Sequence, residues 1–296
     1  MQSGYNKDLY ILAFDHRATF AQKMFSLKGV DDLSEDQKSE IREYKKIIYE
    51  GFKKALVDVP KENAAILVDE EFGNDILEDA KKNGFITIFT LEKSGTSELE
   101  LMDGILDRLK DFSPDFSKIL VKYNPQDDPE LKVRQLEKLK KVSDFSHDNN
   151  VRFLLEVLVL PKFQTSSRDD YDAILRPKLT AQMITEMQQA GVEPDVWKLE
   201  GMDKEEDYKM AVEKARQGGR EAGVVILGRG ETEEKVEEWL ETGARVKGVI
   251  GFAVGRTIFW DILESVKAGD TTKEQAEEEI ATAFEDLYEI FASSKI

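Results

Sequence analysis

A repeat of short apolar runs is the feature that most constrains the fold of this chain. Eight such runs alternate with longer, charged stretches of helical spacing. Near-continuous apolar character is typical of strands that are buried on both faces, as in parallel sheets. The runs, which predict eight such strands, cover Leu9–Phe14, Ala64–Val68, Phe85–Leu91, Lys118–Val121, Val151–Leu160, Asp195–Leu199, Gly223–Leu227 and Val246–Val254.

The charged stretches between the runs predict helices. Helical spacing covers Glu40–Val57, Asp128–Asn149, Arg176–Ala190, Lys204–Ala222 and Glu231–Thr242. Ser34, which precedes two acidic residues, is typical of a helix start, whereas Gly191 and Gly243 lie where a helix should end. A final amphipathic helix, whose apolar face is expected to pack either on the strands or on a partner, carries Ile280, Phe284, Leu287, Ile290 and Phe291.

Eight alternations of strand and helix predict the α/β class and a single (β/α)8 TIM barrel. This fold usually needs roughly 250 residues, so a chain of 296 has room for an N-terminal helical insertion, over residues 31–62, and for a C-terminal helix. An open doubly wound sheet is the main alternative. It usually has a glycine-rich turn after the first strand, and the LYILAFDHRATF segment has none. We therefore predict one domain over residues 1–296.

Charge and composition argue against several kinds of function. The chain has 42 Lys and Arg against 60 Asp and Glu, a net charge of −18, which disfavours nucleic-acid and anionic-membrane partners. No apolar run is long enough to span a bilayer, and the N-terminus lacks the features of a signal peptide, so we expect a cytoplasmic protein. Without cysteine, and with only His16 and His147, thiolate chemistry and multi-histidine zinc sites are excluded, whereas a carboxylate-held magnesium site stays open.

Polar residues mark the ends of the predicted strands, where a TIM barrel places its chemistry. These ends carry Asp15-His16-Arg17, Asp69-Glu70-Glu71, Lys122-Tyr123-Asn124, Gly228-Arg229-Gly230 and Gly255-Arg256. Two charged residues, Glu156 and Lys198, lie within apolar strands. Because side chains alternate along a strand, each faces the barrel interior or a dry helix interface, where charge is costly unless paired or used.

A buried Lys198–Glu156 pair is interpreted either as a packing device or as catalytic machinery. The further charges of Lys122, Asp15 and Asp69 at equivalent strand ends favour catalysis. A lysine amine attacks a carbonyl to give a Schiff base, whose iminium then withdraws electrons. We expect Lys122 to supply a neighbouring positive charge and Glu156 or Asp15 to carry the hydroxyl proton, which is the chemistry of a class I aldolase.

Glycines and arginines at the last two strands predict an anion site. Taken singly, these residues are explained by structure alone, the glycines as tight turns and the arginines as solvated surface charges. They are Gly228, Arg229, Gly255 and Arg256. Together they favour a substrate phosphate bound by amides and a helix N-terminus. Asp69 and Asp15 are expected to bind hydroxyls or to orient the lysines. His16 is either a proton carrier or a hydrogen-bonded strand-end residue, and His147 is expected on the surface. A basic mouth, formed by Lys122, Lys198, Arg229 and Arg256, is expected within an acidic shell.

Several segments also resemble a known family. LAFDHRATF, VKYNPQDD, PDVWKLEG and GFAVGRTIFWD are similar to the aldolase domain fused to sugar kinases in inositol catabolism, which is associated with 2-deoxy-5-keto-gluconate 6-phosphate aldolase activity. With ILVDEEFG and FLLEVLVL, they more distantly resemble tagatose 1,6-bisphosphate aldolases. The resemblance covers nearly the whole chain. It implies a class I mechanism without metal or other cofactor, with Lys198 forming the Schiff base, Glu156 and Lys122 assisting proton transfer, and Gly228, Gly255 and Arg256 at the phosphate.

The predicted function is therefore cleavage or formation of a carbon–carbon bond in a phosphorylated keto sugar or keto sugar acid. A 2-deoxy-5-keto-gluconate 6-phosphate-like substrate would give dihydroxyacetone phosphate and an aldehyde. Tagatose 1,6-bisphosphate or deoxyribose-phosphate-type aldolases, a transaldolase-like transfer and a catalytically silent sugar-phosphate sensor remain alternatives. The expected partner is a small phosphosugar. Barrels of this kind often associate, and the sequence leaves a homo-oligomer open.

Overall fold

Eight parallel strands close into a barrel in chain order, with the first strand beside the eighth, in a computed structural model that describes residues 4–162 and 170–296. The prediction of a (β/α)8 TIM barrel is thus confirmed. The strands are β1 (Leu9–Ala13), β2 (Ala64–Val68), β3 (Ile86–Thr90), β4 (Phe116–Lys122), β5 (Arg152–Leu158), β6 (Val196–Glu200), β7 (Gly223–Leu227) and β8 (Val249–Val254).

Helices surround the barrel and connect successive strands. Those described are α1 (Ala18–Phe25), α2 (Glu35–Ala55), α3 (Glu70–Asn83), α4 (Ile105–Phe112), α5 (Pro129–Asp148), α6 (Arg176–Gln189), α7 (Glu205–Ala215), α8 (Glu233–Ala244), α9 (Arg256–Ala268) and α10 (Lys273–Ser294). A 3-10 turn (Val30–Asp32) precedes α2, and a π-helical turn (Tyr171–Leu175) leads into α6. None of the helices in the described ranges is both long and apolar enough to cross a membrane.

The lower part of the barrel interior is apolar, and this determines where charge can lie. Its buried side chains are Leu9, Ile11, Ala13, Ala65, Leu67, Ile88, Phe116, Leu154, Val196, Val225, Ile250 and Ala253. Since side chains alternate along a strand, the residue two positions after Phe116, Leu154 or Val196 lies on the same inner face. Those residues are Lys118, Glu156 and Lys198. A charged layer therefore lies directly above the apolar one.

The C-terminal helix completes the outer layer. Along α10, Ile280, Phe284, Leu287 and Phe291 are buried, and the helix packs against α2. Gly51 allows the close approach, because a Cβ there would lie 2.7 Å from Ile280. The apolar face of this helix thus packs on the chain's own barrel.

The helix boundaries agree with some of the sequence predictions and differ from others. Ser34 begins α2 with a capping box that involves Gln37, and Gly191 follows α6 with φ of 79°, as expected. The predicted helix over Lys204–Ala222 was too long, because Gly218 and Gly219 take positive φ beyond the end of α7. Gly243 was wrongly expected to end a helix.

Gly243 lies inside α8, where it makes room for neighbouring side chains, since a Cβ would lie 2.4 Å from Ile226.

His147, expected on the surface, is half-buried at the opposite end of the barrel from the charged layer. Its Nε2 lies 2.8 Å from the Asp195 carboxylate.

Candidate active site

A cavity of about 280 Å³ opens at the carboxyl ends of the strands. Every strand or its following loop except β2 contributes to the lining that the structure describes. Among the described residues, seven cationic and five acidic side chains line it, although the whole chain carries −18. This positive excess agrees with the expected basic mouth within an acidic shell, and it suits an anionic ligand.

The floor of the cavity is a cluster of charges around Lys118. This lysine is almost fully buried, and its Nζ lies 2.7 Å from Asp15 Oδ2, 2.7 Å from Glu92 Oε1 and 3.1 Å from Glu156 Oε2. Burial alone would lower the pKa of Lys118, but these carboxylates raise it well above its ordinary value. Lys118 is therefore a permanent ammonium at the floor.

Lys198 lies beside this cluster and has a different environment. Its Nζ donates to Glu156 Oε2 at 3.0 Å, the oxygen that Lys118 also contacts. The register explains the contact, since Glu156 on β5 pairs directly with Lys198 on β6. Among the described residues this is the one carboxylate within ion-pair distance of Lys198. Of the two lysines at the cavity floor, Lys198 therefore has fewer ion-pair partners.

The carboxyl groups of the floor differ in how readily they accept a proton. Burial would raise the pKa values of Asp15 and Glu156, but the ammonium groups of Lys118 and Lys198 lower both below their ordinary values. For Glu92, burial outweighs the attraction of Lys118 and raises the pKa. At neutral pH, Asp15 and Glu156 are thus ionised, and Glu92 is the floor carboxyl most easily protonated.

His16 follows Asp15 and lines the same cavity. Burial, more than the nearby cations, lowers its pKa to about 3. The imidazole is therefore neutral at physiological pH. Its Nδ1 is buried without a hydrogen-bond partner in the described part of the chain.

The loops after β7 and β8 form one wall of the cavity. Arg256 Nη2 donates to the backbone oxygen of Arg229 at 2.9 Å, and a Cβ on Gly230, which takes φ of 72°, would lie 2.7 Å from the Arg256 guanidinium and displace it. Gly255 has no room either, since its Cβ would lie 1.9 Å from the Ala13 oxygen. Arg256 begins α9, whose first amides have no acceptors within the helix and no side-chain cap. Together these groups give this corner of the cavity the donors and positive charge that suit an anion.

Arg229 is occupied within the protein rather than open to a ligand. Its backbone takes φ of 59°, its Nη1 donates to Asp172 at 2.9 Å, and its Nε lies 3.1 Å from Glu200 Oε1. Two carboxylates therefore neutralise this guanidinium. Arg256, in contrast, makes no ion pair within the described ranges.

Two residues singled out in the sequence lie elsewhere than expected. Lys122 is exposed at the cavity rim, where its Nζ donates to the Thr96 carbonyl at 3.3 Å. It lies four residues beyond Lys118 on the same strand, about 13 Å higher, and makes no contact with Lys198 or Glu156. The charge expected from Lys122 is supplied by Lys118, and that expectation was wrong.

Asp69 was expected to bind hydroxyls or orient the lysines, but it does not line the cavity. It is fully buried, begins α3 by accepting the Phe72 amide at 2.9 Å, and pairs with the buried Lys45 of α2. Lys45 also donates to the Phe14 oxygen at 2.8 Å. The pair therefore fixes the backbone just before Asp15 from behind the site, so the expectation for Asp69 is corrected.

Sequence reasoning missed three buried groups near the site. Lys118 could have been found by the rule that identified Lys198, a lysine on the inner face of an apolar strand. Glu92 follows the third run directly, but nothing in its neighbours distinguishes it from a solvated acid. Lys45 carries no signal, because it belongs to an ordinary amphipathic helix.

Residues 2–295 match the family model described as "Uncharacterized protein conserved in bacteria (DUF2090)". The chain belongs to the DUF2090 family. The finer resemblance to the 2-deoxy-5-keto-gluconate 6-phosphate aldolase domain stays a proposal.

Curated relatives of this DUF2090 protein are aldolases. The tagatose 1,6-diphosphate aldolases of Listeria monocytogenes and Listeria innocua are 26% identical to it over 196 residues, which cover 64% of this chain and 54% of theirs. The matched region thus spans about half the length of these relatives.

Solved structures support the fold. A crystal structure of a Corynebacterium glutamicum protein has a TM-score of 0.57 at 18% identity, covering 97% of this chain and 88% of that one. The fructose-bisphosphate aldolase of Slackia heliotrinireducens has a TM-score of 0.55 at 14% identity, covering 93% and 86%. At this identity the likeness concerns the barrel alone.

Proposed function

We propose that this DUF2090 protein is a class I aldolase that acts on a phosphorylated keto sugar or keto sugar acid. The observation that carries the proposal is the Lys118–Glu156–Lys198 arrangement. One carboxylate oxygen contacts both lysines, and Lys118 is fixed as an ammonium by two further carboxylates. Lys198 is then the amine that can lose its proton and attack a carbonyl.

The reaction begins at Lys198. Its neutral amine adds to the substrate keto group, and Glu156, 3.0 Å from Nζ, exchanges protons with the amine and with the carbinolamine that follows. Loss of water gives an iminium, which accepts the electrons of the breaking carbon–carbon bond and becomes an enamine. Lys118, whose own charge does not change, favours the return of Glu156 to its ionised form after each proton exchange and keeps Asp15 ionised.

The phosphate of the substrate is assigned to the corner between β7 and β8. The Arg256 guanidinium, the amides at the start of α9 and the Gly228–Gly230 loop provide donors and positive charge there. Gly255 allows the backbone to approach β1 closely. Arg229 supports this corner through its backbone oxygen, because its guanidinium is already paired.

Two substrates fit this proposal. Cleavage of 2-deoxy-5-keto-gluconate 6-phosphate or of tagatose 1,6-bisphosphate between carbons 3 and 4 gives dihydroxyacetone phosphate in both cases. The aldehyde product is malonate semialdehyde from the first and glyceraldehyde 3-phosphate from the second. Sequence resemblance supports the sugar acid, and the Listeria relatives, by name, support the bisphosphate.

Borohydride trapping tests the proposal. Treatment with dihydroxyacetone phosphate and borohydride should leave a covalent adduct on Lys198, identified by peptide mass spectrometry, and Lys198→Met should abolish it. Lys122→Met is the matched control and should leave the adduct unchanged. The two aldehydes, offered separately with dihydroxyacetone phosphate, distinguish the substrates. A protein that forms no adduct and whose activity is lost on chelation would refute the mechanism, and stabilisation by phosphosugars without turnover would favour a sensor.

A further inference from the structure

One carboxyl group at the cavity floor has no role in the scheme above. Glu92 lies two residues after β3 and is only 7% exposed, yet it lines the cavity. Its Oε1 accepts from Lys118 at 2.7 Å. Its Oε2 is also buried but has no hydrogen-bond partner among the described residues. A buried carboxylate oxygen without a donor is unfavourable unless a ligand or a proton satisfies it.

The backbone holds Glu92 at a fixed point. Arg17 Nη2 donates to its backbone oxygen at 2.6 Å, and Glu92 pairs with Leu101 in a short antiparallel bridge. The Lys93 amide, next along the chain, donates to the Glu100 oxygen at 2.8 Å. A side chain so anchored is preorganised toward the ligand rather than mobile.

The position of Glu92 differs from that of Glu156. The Lys118 ammonium contacts both carboxylates, and Glu156 has a second partner in Lys198. Glu92 has no contact with Lys198, so it is not placed to serve the amine. Its free oxygen is available to a substrate hydroxyl bound beside the amine, above Lys118.

The proton affinity of Glu92 supports the same distinction. Burial raises its pKa, whereas Asp15 and Glu156 are held ionised by two ammonium groups. General acid–base catalysis is most efficient when the pKa of the group lies near the working pH. Among the three floor carboxyls, Glu92 is therefore the best suited to accept a proton and return it.

We propose that Glu92 is a catalytic residue that exchanges the hydroxyl proton at the carbon–carbon bond that breaks, a role that rests on the proposed aldolase function. In cleavage, the electrons of the carbon–carbon bond pass to the iminium and form the enamine. The hydroxyl proton passes to Glu92 Oε2, and the hydroxyl carbon becomes the aldehyde carbonyl. In condensation, protonated Glu92 gives its proton to the aldehyde oxygen as the new bond forms, so the step balances in both directions.

The test separates iminium formation from the carbon–carbon step. Wild type, Glu92→Gln and Glu92→Asp are compared in borohydride trapping with dihydroxyacetone phosphate and in condensation with the aldehyde that the wild type accepts. Glu100→Gln, an exposed change in the same hairpin, is the control and should match the wild type. Glu92→Gln should still be trapped at Lys198, while condensation falls by about 100-fold or more.

A pH profile distinguishes a catalytic from a purely structural role. Condensation uses protonated Glu92, so kcat/KM of the wild type should fall as pH rises through the pKa of this group. That limb should persist in Glu92→Asp, at a lower rate, and disappear in Glu92→Gln.

Three outcomes contradict the proposal. Unchanged condensation in Glu92→Gln would overturn it. Equal losses of trapping and condensation would also overturn it, because Glu92 would then act only by supporting Lys118. If Glu92→Gln does not fold, a Glu92→Asp profile without the limb would decide against the role. A wild type that is never trapped would instead refute the proposed function, and this role with it.

Discussion

Replacing Lys118 by methionine should be far more damaging than the same change at Lys122. The floor holds three carboxyls, Asp15, Glu92 and Glu156, against the ammonium groups of Lys118 and Lys198. Methionine has a similar length but no charge, so only Lys198 would remain to balance the three. Lys122 is exposed and donates one hydrogen bond to a backbone carbonyl, so its loss should cost little.

The magnitude follows from the burial of the cluster. Removing one partner of a buried ion pair typically costs about 3–5 kcal/mol. In the variant, at least one carboxyl must take up a proton to avoid like-charge repulsion, so its pKa rises in the folded state. If that carboxyl stays protonated from pH 5 to pH 8, while its unfolded counterpart is ionised, stability falls by about 1.4 kcal/mol per pH unit, roughly 4 kcal/mol in all.

In the wild type, Asp15 and Glu156 should respond to pH in the opposite direction. The pKa values of Asp15 and Glu156 are lowered in the folded state, so the stability that they contribute is present above their unfolded pKa values. It is lost as pH falls through the folded values. The difference between wild type and Lys118→Met should therefore be largest at pH 8 and shrink toward pH 5.

Urea unfolding of wild type, Lys118→Met and Lys122→Met at pH 5 and pH 8 measures these differences. Lys118→Met should also lose the proposed aldol activity, because Lys118 no longer lowers the pKa values of Glu156 and Asp15. Equal stabilities of the two lysine variants at both pH values would refute the assignment of Lys118 as the central charge. A destabilisation of Lys118→Met that does not depend on pH would show that packing, rather than charge, is responsible.

Three further predictions concern other parts of the molecule. Arg256→Ala should raise KM for dihydroxyacetone phosphate by about 10- to 100-fold in the condensation assay. Arg229→Ala should change KM less, because the Arg229 guanidinium is already paired with two carboxylates. A larger effect of Arg229→Ala would contradict the proposed phosphate corner. Gly255→Ala should destabilise the chain by about 1–3 kcal/mol in urea unfolding, since its Cβ would lie 1.9 Å from the Ala13 oxygen, and an unchanged unfolding midpoint would disprove this tight approach. The hydrogen bond to Asp195 raises the pKa of His147 and outweighs the opposing effect of burial. The contribution of His147 to folding stability, less than about 1 kcal/mol, is therefore complete below its unfolded pKa and is lost as pH rises through its folded pKa. His147→Gln should therefore differ from the wild type at pH 5 but not at pH 9, and a constant difference would argue against titration of this group.

The barrel was predictable because its signal is repeated. Each apolar run is ambiguous by itself, but eight in alternation with helical stretches leave few architectures. Boundaries were less certain, because they depend on single residues whose effect is decided by packing. Gly218 and Gly219 end a helix early, while Gly243 lies within one and makes room for Ile226.

The candidate site was predictable where strand alternation determines the direction of a side chain. Glu156 and Lys198 are placed together by strand register, and Asp15 joins them at the end of β1. The predictions for Lys122 and Asp69 were wrong, because a position near the end of a strand does not determine how high in the barrel a side chain lies or which residues it contacts. One lies too high in the barrel, and the other is held by a lysine of α2 whose sequence gives no sign of this contact.

The contact between Gly255 and Ala13 has a consequence for substrate length. These residues lie where the last and first strands meet, and their backbones touch with no side chain between them. The phosphate corner begins one residue after Gly255, and Asp15 follows two residues after Ala13. Under the proposed function, the distance from the bound phosphate to the reacting carbons is therefore set by main-chain atoms. Exchanging side chains should alter which hydroxyl groups are accepted, but accepting a longer or shorter sugar would require a different backbone at this seam.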